Sequence, residues 1–121
     1  MRSILFKAKK LSDGKWVKGS LVKTPFGTFI EWYEDSICNK REVDTDTVCQ
    51  FTGLKDCEGN ELYEHDVIKK YPFIPSEIVW SEELSGYYLT HANGKIYEKP
   101  LGYYLSLGKF IVVGNKFDKE K

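Results

Sequence analysis

The chain has 121 residues, of which 41% are hydrophobic, 15% aromatic and 30% charged, the balance of one compact fold holding at most two small subdomains. Three Trp, eight Tyr and seven Phe supply enough apolar bulk to offset the entropy of ordering the backbone, which excludes a disordered chain. The 18 basic and 18 acidic residues cancel, which argues against a strongly basic nucleic-acid binder of the histone or ribosomal type and against an acidic tail protein.

Taken in chain order, the apolar pattern has period two. Ile4, Phe6 and Ala8 alternate with Leu5, Lys7 and Lys9, and Ser12-Asp13-Gly14-Lys15 supplies turn chemistry before Trp16-Val17, which predicts a β-hairpin. Gly19 to Val22 continues as strand, Thr24-Pro25-Phe26-Gly27 reads as a turn, and Thr28 to Tyr33 is β-branched and aromatic enough for another strand. Glu34 to Glu42 is polar and reads as a loop. Asp44-Thr45-Asp46-Thr47 has the side chains to cap a short 3₁₀ turn.

From Phe51 the strands shorten. Lys55 to Asn60 is a tight turn, Glu61 to Asp66 leads into a strand over Val67 to Tyr71, and Pro72 and Pro75 forbid continuous pairing across Phe73-Ile74. Strands are predicted again at Glu77 to Ser81 and Tyr87 to His91. Asn93-Gly94 reads as a type I′ hairpin turn with both residues at positive φ, and Lys95 to Lys99, Tyr103 to Leu107 and Phe110 to Phe117 complete the set. The expected class is all-β, with strands and turns at the spacing of a small barrel and no long helix.

The run Val43-Asp44-Thr45-Asp46-Thr47-Val48-Cys49-Gln50-Phe51-Thr52-Gly53-Leu54-Lys55-Asp56, continuing through Gly59 to Asp66-Val67-Ile68, resembles the central signature of the YopX family, small proteins encoded mostly by phages and prophages of bacteria. Ile4-Leu5-Phe6-Lys7-Ala8 and Trp16-Val17-Lys18-Gly19 resemble that family's opening elements, and Val112-Val113-Gly114-Asn115-Lys116-Phe117 its closing one. Lys7 stands where Arg is usual, Cys49 where Gly is common, and His65 where Gly often precedes the Asp-Val pair. The resemblance implies one YopX-like domain over residues 1–121, divided into an N-terminal β portion (1–50) and a C-terminal SH3-like barrel (51–121). It supplies no reaction. Within the motif, Gln50, Phe51 and Leu54 would join the two portions, Gly53 would take a backbone angle other residues resist, Asp56 with Gly59 would close a hairpin, and Asp66 would accept backbone amides.

Chemistry is sparse. Cys38, Cys49 and Cys57 lie 11 and 8 residues apart, neither a disulfide framework nor a paired zinc knuckle, so they read as reduced thiols, with Cys49 a small hydrophobe. Asp44 with Asp46 and Glu64 with Asp66 make acidic pairs that a metal-dependent hydrolase could use, a remote alternative, since the further oxygen ligands of a calcium loop are interrupted by Val48 and Cys49. No phosphate loop, nucleophile elbow or dinucleotide fingerprint is present. The expectation is a non-enzymatic protein without catalytic residues, metal or cofactor. No stretch reaches the ~20 apolar residues of a membrane span, and the charged N-terminus does not build a signal-peptide core, so a bacterial host cytoplasm is expected.

Binding is the stronger class. If the doublets Tyr87-Tyr88 and Tyr103-Tyr104 lie in strands, one ring of each points away from the core, and Phe73 and Ile74 add an apolar knob, six residues suited to contacts with another protein or another copy of this chain. Charge is segregated: residues 1–23 carry a net plus six, 24–66 a net minus eight, and the remainder plus two. Nucleic acid is the alternative partner, which would need Lys7, Lys9, Lys10, Lys69 and Lys70 to converge beside aromatic rings.

Overall fold

The computed structural model describes residues 4–72 and 74–118. It is built from antiparallel strands in two compact units, Met1–Phe51 and Thr52–Lys121.

In the first unit, β1 (Phe6–Lys9) and β2 (Trp16–Thr24) form the expected hairpin, closed by Gly14 at φ +73° and by Asp13, whose carboxylate accepts the Lys15 amide at 3.0 Å. Strand β3 (Gly27–Glu34) pairs with β2, Leu21 lying opposite Ile30. The segment expected as a loop instead contains a strand, β4 (Ile37–Glu42), paired with β3 along its length. Asp35 and Ser36 make the two-residue turn, both at positive φ (50° and 67°), the backbone that lets a tight hairpin follow the twist of its strands. The polarity of β4 reflects its place at the sheet edge, mostly exposed.

Alternation sends Phe6, Ala8, Val17, Leu21, Ile30 and Trp32 to one face, where they pack with Val43 and Val48 as the first core. Asp44 caps the 3₁₀ turn Thr45–Thr47, accepting the Asp46 amide at 3.0 Å. The next strand, β5 (Cys49–Lys55), starts beside β1, with Gln50 opposite Phe6.

Gly19 occupies the point of closest approach between β2 and β3: a Cβ there would lie 2.2 Å from the Glu31 carbonyl oxygen. Backbone cannot yield as a flexible side chain can, so Gly19→Ala is expected to destabilise the protein by about 2 to 3 kcal/mol, measured as a lowered urea midpoint with unchanged m. Gly14→Ala, at a turn with open space around it, is expected to cost about 1 kcal/mol, for its φ alone.

In the second unit the later residues of β5 run beside β6 (Glu61–Tyr63), and a separate sheet has the order β10-β9-β8-β7-β11. Its members are β7 (Asp66–Lys69), β8 (Ser76–Ser81), β9 (Gly86–Thr90), β10 (Ile96–Pro100) and β11 (Ile111–Asn115). The β9–β10 connection differs from a type I′ turn. Gly94 alone of the Asn93-Gly94 pair is left-handed (φ +87°), and the loop is held by the Asn93 side chain, which accepts the Lys95 amide.

Tyr103 to Leu107, expected as a strand, belongs to an α-helix, α1 (Leu101–Leu107), which starts after Pro100 and ends before Gly108. Leu101, Tyr104 and Leu105 share its inner face at helical spacing and join a core of Leu62, Ile68, Ile78 and Leu89. Seven residues are too few for a helix to hold on its own, so this packing maintains it. Because the element that would have extended the sheet beyond β10 is helical, the sheet has two edges and the expected barrel is not closed among the described residues.

Candidate apolar groove

The second unit carries a cavity of about 230 Å³ under α1, with Tyr97 of β10, Tyr104 and Leu107 of α1, Phe110, Ile74 and Lys70 among its walls. The Tyr97 ring stacks on His91 at 4.1 Å and meets the Tyr104 ring edge-on at 5.2 Å, and Tyr104 in turn meets Tyr103 at 90°. Each interlock fixes a wall: the Tyr97 hydroxyl lies 3.3 Å from the Ser76 hydroxyl, and the Tyr104 hydroxyl accepts the Lys99 amide at 3.3 Å. The result is an interlocked aromatic back wall with an open aliphatic rim, since Leu107 and Ile74 remain 66% and 65% exposed.

Of the residues marked from sequence for protein contact, Ile74 and Tyr104 are brought together here, and Tyr103 stands behind Tyr104 with the Lys99 ammonium 5.7 Å over its ring. Phe73 lies outside the described residues. Tyr87 and Tyr88 go elsewhere. Tyr88 is buried, and Tyr87 packs on the core and edge-on against Trp80 at 5.0 Å; burial first, then the Glu64 carboxylate, pushes its phenol up to about 12. Tyr97, Leu107 and Phe110 were not marked. Only the period of Leu101, Tyr104 and Leu105 would have revealed them, by turning the Tyr doublet into a helix whose outer end reaches the Pro72–Pro75 segment.

The lysines divide. Lys7 and Lys9 meet over the Trp16 ring, with ammonium nitrogens 4.7 and 5.5 Å from its centre, while Lys10 pairs with Asp13 at 3.1 Å. In the second unit Lys69 is exposed at the end of β7, and Lys70 stands at the groove. The acidic pairs divide likewise. Asp44 is the 3₁₀ cap, and a turn at Glu64-His65 separates Asp66, which points inward, from Glu64, beside the His65 ring. Among the described residues no three His, Cys, Asp or Glu side chains are grouped to hold a metal ion, and no disulfide joins the cysteines.

The motif residues form two buried polar clips. Asp56 accepts the amides of Glu58 (2.9 Å) and Asn60 (2.8 Å) on one oxygen, and the Asn60 side chain and the Val112 amide (both 3.0 Å) on the other. Burial raises its carboxyl, but those four donors together outweigh burial and hold it below the ordinary value. Gly59 in the same turn has φ +89°. Asp66, 1% exposed, accepts the Tyr63 amide and the Asn115 side-chain amide, both at 2.8 Å. Asn115 then accepts the Phe117 amide at 2.9 Å. Sequence elements 56 and 49 residues apart are thus tied to one another through buried carboxylates.

The model of the YopX protein family matches residues 5–120. The chain belongs to the YopX protein family. No curated protein sequence matches it. Among solved structures it is similar to the crystal structure of protein EF1440 from Enterococcus faecalis, with TM-score 0.57 and 18% identity over 95% of this chain and 94% of that one, a likeness of fold alone.

The clips give the YopX signature a physical meaning. Asp56, Gly59, Asp66, Asn115 and Phe117 of the signature are parts of the two clips, and Gly53, within β5, has φ +88°. His65 stands where the family often has Gly, and it is left-handed, φ +71°. Its ring is held by the Glu77 carboxylate at 2.7 Å and by the Phe117 ring edge at 5.4 Å, contacts that offset the strain a side chain incurs there. Cys49 instead sits within β5, buried, its thiol donating to the Thr47 carbonyl at 3.3 Å. No helix among the described residues is long and apolar enough to cross a membrane.

Proposed function

We propose that this YopX-family chain is a phage-encoded, non-enzymatic binding protein of a bacterial host cytoplasm, whose second unit, a small open sheet of SH3-like kind, takes up an apolar segment of another polypeptide, another copy of itself included. The observation that carries this reading is the groove: a preformed aromatic wall of Tyr97 and Tyr104, exposed aliphatic anchors in Leu107 and Ile74, and one cation, Lys70, among its walls. Rigid rings lose little rotamer freedom on contact, and apolar anchors around an aromatic pocket are the composition of binding hot spots. Beside it, β10 is a sheet edge joined to β9 through an irregular register, so its outer backbone groups are placed to pair with an extended segment.

Light scattering in line with size-exclusion chromatography, over a range of protein concentrations and at two salt concentrations, tests the self-association form. The expected mass rises toward a defined oligomer. Leu107→Asp is expected to weaken that association at least tenfold while leaving the thermal midpoint of the unfolding curve unchanged, because the side chain is two-thirds exposed. A monomer mass at every concentration would remove self-assembly and confine the reading to a different protein partner.

A further inference from the structure

Among the described residues Phe26 is the most exposed large hydrophobic side chain, at 90%. Thr24 and Gly27 close the β2–β3 hairpin, and Pro25 and Phe26 are its two-residue turn. The Thr24 hydroxyl accepts the Phe26 amide at 3.0 Å and donates to the Gly27 carbonyl at 3.3 Å, and the Pro25 ring fixes its own φ. The phenyl ring is therefore presented on a preorganised tip with little backbone freedom left to lose on contact. Directly below it Val22 and Phe29, both half-buried, lie opposite one another and extend the apolar surface. Glu42 lies opposite Phe29 on β4, and its carboxylate reaches Gly27, where a Cβ would be 2.6 Å from its Oε2. One row farther from the turn, Lys40, whose ammonium sits 5.1 Å over the Phe29 ring, lies opposite Glu31, a pair without net charge, and Lys23 alternates to the other face. The charge beside the turn on this face is thus that of Glu42.

We propose that Phe26 of one copy of this chain occupies the groove of the next, a head-to-tail contact. The inference rests on the reading of the groove as a site for an apolar segment, and it names that segment. An apolar cavity of about 150 Å³ holds a benzene-sized ring, and the groove, at about 230 Å³, is large enough for the phenyl ring. Tyr97 and Tyr104, already edge-on to one another, offer ring surface to a third aromatic, while the exposed Leu107 and Ile74 at the rim meet the shoulder of Val22 and Phe29. Lys109, exposed, stands between Gly108 and Phe110 of the wall and supplies a cation to match Glu42. One ring covers about 150 to 250 Å², against about 1,200 Å² or more for a stable interface, so the contact is weak and reversible. Knob and groove come from different parts of the chain, which makes the contact heterologous, and a defined oligomer then forms by closure of the copies into a ring.

The test mixes two variants of the whole chain. Phe26→Ser removes the knob and leaves the groove, and Leu107→Asp blocks the groove and leaves the knob. By light scattering in line with size-exclusion chromatography, each variant alone is expected to associate at least tenfold more weakly than the parent. Their equimolar mixture is expected to form a heterodimer, in which the one intact knob meets the one intact groove and no third copy can add. Glu42→Lys is expected to weaken assembly of the parent several-fold and to reduce its dependence on salt. Thermal melts accompany each variant; should Leu107→Asp fail to fold, a labelled cyclic peptide of residues 22–29 decides, expected to bind the Phe26→Ser chain in fluorescence anisotropy and to lose that binding when its own Phe26 is replaced by Ser. Assembly that Leu107→Asp abolishes and Phe26→Ser leaves intact overturns the inference while the groove remains a site for another segment. A mixture that stays monomeric overturns it as well, and assembly that neither variant changes overturns both the inference and the self-association it rests on. A parent that is monomeric at every concentration overturns the inference and leaves the groove to a different protein.

Discussion

Asp66→Ala is expected to lower the stability of the protein by about 4 kcal/mol. The carboxylate is 1% exposed and satisfies two donors, the Tyr63 amide and the Asn115 side chain, at 2.8 Å each. Alanine removes both charge-assisted bonds in a place water does not reach, leaving the Asn115 side-chain amide its long contact to the Glu64 carbonyl at 3.5 Å, and each such loss is worth roughly 1.5 to 3 kcal/mol. Asp66→Asn keeps one acceptor oxygen but turns an amide toward the second donor, so about half the loss is expected. Because Asn115 also accepts the Phe117 amide, the double variant Asp66→Ala/Asn115→Ala should be worse than Asp66→Ala alone by about the worth of that bond, ~1 kcal/mol. Urea unfolding of the four proteins measures all of this, and a loss below about 1 kcal/mol for Asp66→Ala would show that the clip does not hold the second unit together.

The same residues show where sequence is legible and where it is not. β1, β2 and β3 could be read because each buries one face, so period two is written in Phe6, Ala8, Val17, Leu21 and Ile30. β4 could not, because an edge strand of Ile-Cys-Asn-Lys-Arg-Glu buries almost nothing and its turn, Asp35-Ser36, lacks the glycine that usually marks positive φ in a hairpin. α1 is ambiguous for a different reason. Over seven residues Leu-Gly-Tyr-Tyr-Leu-Ser-Leu fits both periods, and the choice between them is made by packing of Leu101, Tyr104 and Leu105 on strands distant in sequence. That one ambiguity hides the groove, since Leu107 and Tyr104 line it only when the segment is helical. The placement of the lysines in the first hairpin was closer to legible. A hairpin turning at Asp13-Gly14 puts Lys7, Lys9, Trp16 and Lys18 on one face by alternation alone, but the pairing of Lys9 with Trp16 and of Lys7 with Lys18 follows from the longer loop closed by the Lys10 amide on the Lys15 carbonyl, and a count of lysines along the chain groups Lys10 with them although it pairs with Asp13.

Asp56 makes stability depend on pH in a defined direction. Its four donors hold the carboxyl below the ordinary value of 3.8 despite burial, so the folded state binds a proton less readily than the unfolded chain. A depressed carboxyl contributes fully above the unfolded value and loses that contribution as pH falls through the folded one. Asp56→Asn presents an amide to the Val112 or Asn60 donors and cannot satisfy all four; it is expected to cost about 3 kcal/mol at pH 7. The difference in stability between the parent and Asp56→Asn should therefore stay constant from about pH 7 to about pH 5 and narrow between about pH 4 and about pH 2, where the parent's own carboxyl becomes protonated and resembles the amide. Comparing the two proteins at each pH cancels the acid sensitivity of other groups, among them Asp13, whose carboxyl is also held low by the Lys15 amide and the Lys10 side chain. Urea unfolding across that range measures the difference. A gap that remains at its neutral value down to about pH 2 would mean that the four bonds do not depend on the charge of Asp56, and that the tie between its turn and β11 is held by backbone pairing such as the Cys57 amide on the Phe110 carbonyl.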